Sequence, residues 1–459
     1  MKTIKETAAL IHSGKISPVE ATRELLGRID TYDIELDGFV TVCGDYALER
    51  AAECEKEIQS GNYLGPLHGI PIAVKDICET QGVRTSVGSK VFRNWLPERD
   101  AEVVKKLKQS GAILLGKLNM TEFAMGRYHP DLPRPKNPWN RDVWAGASSS
   151  GSGVAVSAGL CMGAIGTDTG GSIRYPSATC SLVGIKPTYG LVSTEGTFPL
   201  SRRLDHVGPI CRSVDDVEIF LNSLLDSPLD TDKTPINHIR IGVDEEYIKT
   251  GVNQEVSDLV FEAINLFEGL GAKLVEVKVP ALSGGDDTWA TVTLVDALKD
   301  HTEFFLRDRS LYGPFGDQLE YASDLDPAVV EKCLVYGNTF RQDFNEIFDD
   351  IDAIMCPTMV TTIPTLTDIK SYNNGDDVMP DISDADWGEY SDRIGKFTAP
   401  FNFSGNPAMS LPCGFSSNRL PVSLQIIGKQ FGESTIISLG KQYQSVTNWH
   451  TINPPGFGF

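Results

Sequence analysis

The sequence predicts an α/β protein in which a sheet is covered by helices on both faces. Short apolar, β-branched runs alternate along the chain with longer amphipathic segments, as strands separated by helices do. In the clearest instance, residues 239–243, 254–270 and 273–279 read as strand, helix and strand. A third observation locates the centre. The 25 residues 143–167 contain no charged side chain. Length alone would admit a membrane span, but six glycines and five serines alternate there with few large apolar residues. That composition predicts a buried segment packed close to its neighbours.

Each element follows from local signals. Residues 3–12 and 17–32 read as helices, the second opened by Ser17-Pro18-Val19-Glu20, a capping box with proline at the first helical position. A strand candidate at 38–42 precedes an amphipathic, Ala- and Glu-rich helix at 45–59. Residues 69–77 form an apolar strand interrupted by Lys75. A helix at 101–109 turns Val103, Val104 and Leu107 inward and leads to a strand at 112–115. In the central stretch a tight Gly/Ser turn is followed by a small-residue helix at about 152–158 and a strand at 161–166. That strand ends at Thr167-Asp168-Thr169-Gly170-Gly171-Ser172, where glycines let the backbone turn and align its N–H groups. Beyond it come a helix at 214–225 and a linker at 226–238 containing Pro228 and Pro235. The polar stretch 367–389, with Asp376, Asp377, Asp381, Asp384, Asp386 and Glu389 around Asn373-Asn374-Gly375, reads as a surface loop and a candidate lid.

Composition bounds the function. The chain has 459 residues, 41% hydrophobic and 22% charged, enough for a large core. Length alone suggests two or three domains, although α/β enzymes of this size also form one continuous unit. A formal net charge of −21 argues against nucleic acid or an anionic membrane as partner, because phosphate binding needs clustered Lys and Arg. Nine cysteines without a C-x-x-C pair or zinc spacing fit reduced, buried thiols. The first residues, MKTIKETAALIHSGK, lack the apolar run of a signal peptide. A cytoplasmic protein is expected.

Common catalytic motifs are missing. There is no G-x-S-x-G elbow, no G-x-x-x-x-G-K-[ST] loop and no H-E-x-x-H. The seven histidines are scattered, and none stands out as a triad base. What remains is Lys75 in an apolar strand and two serine clusters whose members Ser148 and Ser172 lie 24 residues apart. By residue type alone, a strand-end lysine is more commonly exposed and a serine run more commonly a linker. If Lys75 is buried, however, its charged form is disfavoured and it becomes a base usable near neutral pH. It could then take a proton from a serine, directly or through a second hydroxyl, which is Ser–Lys nucleophilic catalysis.

Three stretches sharpen this reading: HGIPIAVKD at 68–76, GASSSGSG at 146–153 and GTDTGGSIRYP at 166–176. GIKPTYGLVS at 184–193, LDHVGP at 204–209 and GNPAMSLPCG…LPVSLQIIG at 405–428 extend the pattern. Together they resemble the amidase signature family, densely from 67 to 209 and more loosely over most of the chain. The resemblance implies one domain over 1–459, a single large α/β/α sandwich with a central mixed sheet. Within it, 1–66 would be an N-terminal helical segment, 67–210 the catalytic core, and 239–459 the half that completes sheet and pocket. It implies a triad of Lys75, a bridging Ser148 with a cis peptide bond, and the nucleophile Ser172. Ala147 and Ser150 stand where the family commonly has glycine, which leaves Ser149 as the alternative bridge.

The oxyanion hole would be the backbone N–H groups of Thr169, Gly170, Gly171 and Ser172. Asp168 and Ser149 would brace these loops, and Arg174 would be structural. Met125, Gly126, Tyr128 and Tyr175, with Phe198 nearby, would line the acyl pocket. This apolar, aromatic set favours an uncharged aryl or alkyl amide, with ester or carbamate (urethane) cleavage open, although the same residues could simply pack the core. No metal and no organic cofactor is implied. The expected partner is a small-molecule amide or carbamate, with room for a homodimer. The alternatives are the ammonia-releasing A subunit of a tRNA-dependent glutamine amidotransferase and a catalytically silent scaffold of the same fold.

Overall fold

A computed structural model describes residues 2–231, 235–280, 282, 288–367 and 395–458. Among these, eleven strands form one sheet: β1 (Phe39–Val42), β2 (Pro71–Lys75), β3 (Ile113–Leu118), β4 (Gly163–Asp168), β5 (Val183–Lys186), β6 (His206–Cys211), β7 (Arg240–Val243), β8 (Lys273–Glu276), β9 (Ala353–Pro357), β10 (Ala408–Phe415) and β11 (Pro421–Gly428). Their spatial order is β1-β3-β2-β4-β6-β5-β10-β11-β9-β7-β8. The sheet is mixed, as expected. β3, β2 and β4 run parallel on one side and β9, β7 and β8 on the other, joined through the antiparallel β6, β5, β10 and β11. Strands buried along their whole length, such as β2, β4, β6, β9 and β11, match the unbroken apolar runs of the sequence.

The helices fall close to their predicted places. Helix Pro18–Leu36 carries the expected capping box but runs past Tyr32 to an αL cap at Asp37. Helix Ile4–His12 has a capping box of its own at Thr3 and Glu6. Small residues prove necessary in helix Ser150–Ser157, which is buried throughout. A Cβ at Gly151 would lie 2.4 Å from the Asn119 carbonyl oxygen, and one at Gly153 would lie 2.9 Å from Pro176 Cβ. Its serines bond to the neighbouring backbone instead of repelling it: Ser152 Oγ donates to Ile165 O and Ser157 Oγ to Cys180 O. β4 begins and ends two residues later than predicted, so Thr167 and Asp168 are strand residues.

The segment after β3 turns tightly. Glu122–Ala124 makes a single 3₁₀ turn, with Phe123 and Ala124 at φ 49° and 62°. Buried Glu122, which accepts from Ser89 Oγ and Gly313 N, and Phe123, packed on Phe92, His301, Tyr312 and Phe315, hold this left-handed backbone. Almost all of the acidic stretch at 367–389 lies outside the described residues. Among the described residues no helix is long and apolar enough to cross a membrane.

Candidate active site

β2 and β4 are parallel neighbours, so Lys75 and Asp168 come to the same edge of the sheet at the strands' carboxyl ends. Ligand sites of open α/β sheets form at such edges. Lys75 is fully buried. Its Nζ lies 2.7 Å from Ser148 Oγ and 2.7 Å from Thr167 Oγ1, two neutral hydroxyls. Burial pulls the ammonium down to about 7, opposed by the weaker pulls of Cys78, Asp205 and Asp168.

Ser148 faces both ways. Its hydroxyl is on Lys75, and its backbone N–H donates to Ser172 Oγ at 3.3 Å. Ser149 faces elsewhere, since its Oγ donates to Thr167 O and accepts from Thr167 N, clamping β4. Ser172 is only partly buried. Lys75, Ser148 and Ser172 thus stand in series, with the outermost member open to an approaching molecule. One expectation is corrected: no peptide bond among the described residues is cis. The sharp entry into the serine run is made at Gly146 instead, at φ 99°, where a Cβ would lie 2.5 Å from Pro176 Cα.

Asp168 anchors the turn that follows β4. Burial alone would push its carboxyl up. The Arg174 guanidinium, helped by Asn402 and Lys186, outweighs that and holds it well below the usual carboxylate range. Arg174 Nε and Nη2 donate to the two carboxylate oxygens at 3.0 and 2.9 Å, and the same guanidinium reaches Gln425 and Asn402. Arg174 is therefore a buried tie between this turn and the C-terminal half. Asp168 Oδ1 accepts the Gly171 N–H at 2.8 Å, and Oδ2 accepts that of Ile173. Of the four N–H groups expected to stabilise an oxyanion, Gly171's is thus occupied. Those of Thr169, Gly170 and Ser172 meet no acceptor among the described residues.

The expected pocket residues divide. Met125 belongs to the main hydrophobic core. Tyr175 is buried against Gly171, and its hydroxyl meets Thr398 Oγ1 at 2.7 Å, so it braces the turn instead of lining an open pocket. Gly126 and Tyr128 are half-buried, with the Tyr128 hydroxyl 2.5 Å from Ser150 Oγ. Phe198 lines a cavity of about 20 Å³ together with Thr167, Thr169 and Asp205, room for one water molecule.

Sequence reasoning missed several side chains. Thr167 touches Lys75 and lies within the motif that ends in Ser172, so spacing could have suggested it. Asp205 receives the Thr169 hydroxyl at 2.6 Å and the N–H groups of Leu200 and Ser201. Burial pushes its carboxyl up to about 6. Trp289, Thr398 and Asn402 reach the turn from 120, 228 and 234 residues away and carry no local signal. A separate cluster, Cys54, Glu57 and His68, has metal-ligand types within 4.8 Å. There, however, Glu57 is held bidentately by Arg50 and receives the His68 Nε2–H, since Nδ1 accepts from Leu64 N. That cluster is a satisfied ion-pair network.

Known proteins resemble this chain over almost its whole length. The family model described as Amidase matches residues 20–437. "Putative amidase AmiD" of Mycobacterium tuberculosis is 35% identical over 466 residues, covering 98% of this chain and 95% of that protein. The A subunit of glutamyl-tRNA(Gln) amidotransferase from Geobacter metallireducens is 33% identical over 98% of each chain. Among solved structures, a bacterial aryl acylamidase of the amidase signature family superposes with a TM-score of 0.85 at 25% identity, covering 98% of this chain and 97% of its own.

Proposed function

The chain belongs to the amidase family, whose members hydrolyse amides, and from that premise we propose that Ser172 is its nucleophile, served by a Ser148–Lys75 proton relay. One observation carries the proposal. A fully buried lysine, drawn down to about 7, contacts Ser148 Oγ at 2.7 Å, and the backbone N–H of the same Ser148 donates to the Oγ of partly buried Ser172 at 3.3 Å. Neutral Lys75 takes the Ser148 proton as Ser148 takes that of Ser172. Ser172 Oγ then bonds to the amide carbon, and the carbonyl π electrons move onto oxygen. The N–H groups of Thr169, Gly170 and Ser172, which meet no acceptor among the described residues, receive that oxyanion. As the C–N bond breaks, Lys75 returns a proton through Ser148 to the leaving nitrogen. Water, deprotonated by the same relay, displaces Ser172 from the acyl group. Each cycle consumes one amide and one water and returns the enzyme unchanged.

The substrate we propose is an uncharged amide with an aryl or alkyl acyl group. Half-buried Tyr128, whose hydroxyl meets Ser150 Oγ, and Phe198, which shares a small cavity with Thr167 and Thr169, support it with aromatic surface beside the serine run and the turn. Esters and carbamates present the same carbonyl to the same nucleophile. A second reading, a glutamine-hydrolysing component of an amidotransferase, rests on the likeness to the Geobacter protein across almost the whole chain. Glutaminase activity of the purified chain separates the two. We place the protein in a reducing, cytoplasmic compartment, supported by nine cysteines that all stand unpaired.

The test is labelling with a fluorophosphonate followed by peptide mapping. The reading requires one adduct, on the peptide containing Ser172, and none in Ser172→Ala or Lys75→Ala. An unlabelled wild-type chain that also hydrolyses no 4-nitroacetanilide, phenyl carbamate or glutamine would leave the silent-scaffold reading standing.

A further inference from the structure

The backbone of the 168–171 turn is held, carbonyl by carbonyl, by groups from outside it. Asp168 O accepts from Asn402 Nδ2 at 3.0 Å. Thr169 O accepts from Trp289 Nε1 at 3.0 Å, and Gly170 O from Thr398 Oγ1 at 2.6 Å. Gly171 O accepts from Tyr175 N at 2.7 Å. In a trans peptide unit the C=O and the following N–H point in opposite directions. Fixing a carbonyl therefore aims the next N–H. The Trp289 bond turns the Gly170 N–H away from the indole. The Tyr175 bond turns the Ser172 N–H away from helix Arg174–Thr179. The Thr398 bond turns the Gly171 N–H toward Asp168, where it is found.

Without these bonds a pair of glycines could rotate either way at little cost, because glycine accepts both signs of φ. Gly171 sits at φ 129° and Gly170 lies directly under the indole, where a Cβ would come within 2.6 Å of Trp289 Cε2 and Cζ2. The indole therefore covers the Thr169–Gly170 peptide, whose N–H meets no acceptor among the described residues, and it supplies that peptide's only side-chain tether among them. Thr398 is pre-oriented in turn. Its single proton goes to Gly170 O, so the Tyr175 hydroxyl donates to it.

We infer that Trp289 and Thr398 are positioning residues that hold the Thr169–Gly171 peptides with the Gly170 N–H aimed at the oxyanion. Among the described residues neither makes a hydrogen bond to Lys75, Ser148 or Ser172. They act through the backbone, and their effect belongs to the transition state, where charge develops on the carbonyl oxygen. This inference rests on Ser172 being the nucleophile.

The experiment measures phosphonylation by the fluorophosphonate in wild type, Trp289→Phe, Thr398→Val, Thr398→Ser and Ser172→Ala, resolving kinact from KI, with thermal melting of each. Trp289→Phe keeps an aromatic ring over Gly170 and removes the N–H. Removing an oxyanion donor costs roughly 100- to 1000-fold, so loss of its aim should lower kinact by roughly 10- to 100-fold. KI should stay within about twofold, because ground-state contacts are untouched. Thr398→Val should fall similarly and Thr398→Ser should recover most of the rate, since serine restores the O–H.

An unchanged kinact in both Trp289→Phe and Thr398→Val overturns the inference. So does a loss confined to KI, or a Thr398→Ser as slow as Thr398→Val. If Trp289→Phe does not fold, the Val/Ser pair at 398 decides alone. Labelling that persists in Ser172→Ala would instead refute the choice of nucleophile, whatever the variants at 289 and 398 do.

Discussion

Between pH 5 and 9, kcat/KM for a neutral amide should rise on one ascending limb set by Lys75. The side chain is completely buried and its contacts are two hydroxyls, with no carboxylate against it. Its conjugate acid is drawn down from 10.5 to about 7. The base form is the active one, so activity falls by roughly tenfold per pH unit below that value, to roughly a hundredth of the plateau at pH 5. The same group marks stability. Between about 7 and 10.5 the unfolded chain carries a proton at Lys75 that the fold does not, so unfolding takes up a proton and stability climbs with pH across this window. Below it, the fold bears the full cost of a buried ammonium; above it, that cost is gone. Lys75→Met removes this dependence, so relative to the variant the wild type should gain at most about 1.4 kcal/mol per pH unit within the window, with an upper limit of ~5 kcal/mol overall. Lost bonds to Ser148 and Thr167 offset part of this. The assays are a pH–rate profile and urea titrations of both proteins at pH 6, 8 and 10. A profile flat down to pH 5, or a stability difference unchanged from pH 6 to 10, would refute the reasoning.

Other perturbations separate roles within the same site. Ser148→Ala should cost roughly 10²- to 10⁴-fold in kcat. Ser149→Ala should mainly cost ~1–3 kcal/mol of stability through its lost bonds to Thr167; a dead Ser149→Ala beside an active Ser148→Ala would assign the relay the other way. Asp205→Asn removes a negative charge that favours protonated Lys75, so the ascending limb should move to lower pH; a shift to higher pH in the rate profile would contradict this. Arg174→Met leaves Asp168 buried without its cation and should lower unfolding free energy by ~3–5 kcal/mol in denaturant titrations. Gly151→Val drives side-chain atoms into the Asn119 and Gly38 backbone, where there is no flexible group to yield, and should lower the melting temperature for a cost of ~1–3 kcal/mol or more.

Much of this molecule is local, and the sequence determined it. Capping residues at Thr3 and Ser17 start the first helices, apolar runs place β2, β3 and β4, and uncharged small residues mark a helix that lies against backbone. That Lys75, Ser148 and Ser172 come together was legible, because the short motifs that hold them have characteristic spacing. The pocket residues were not. Met125 and Tyr175 have the apolar character of a lining, but whether such a side chain faces a cavity or the core depends on what is packed opposite, and that lies far along the chain. Burial of Lys75 is of the same kind: a lysine in an apolar strand becomes a weak base only once β4 and the serine helix close around it and exclude water. Nor could sequence show that Gly171's N–H is taken by Asp168, or that Thr398 holds the carbonyl of that same peptide and Trp289 the carbonyl of the one before it. A carbonyl's partner is whichever donor the fold brings within 3 Å, and here tertiary packing brings those donors from more than a hundred residues away.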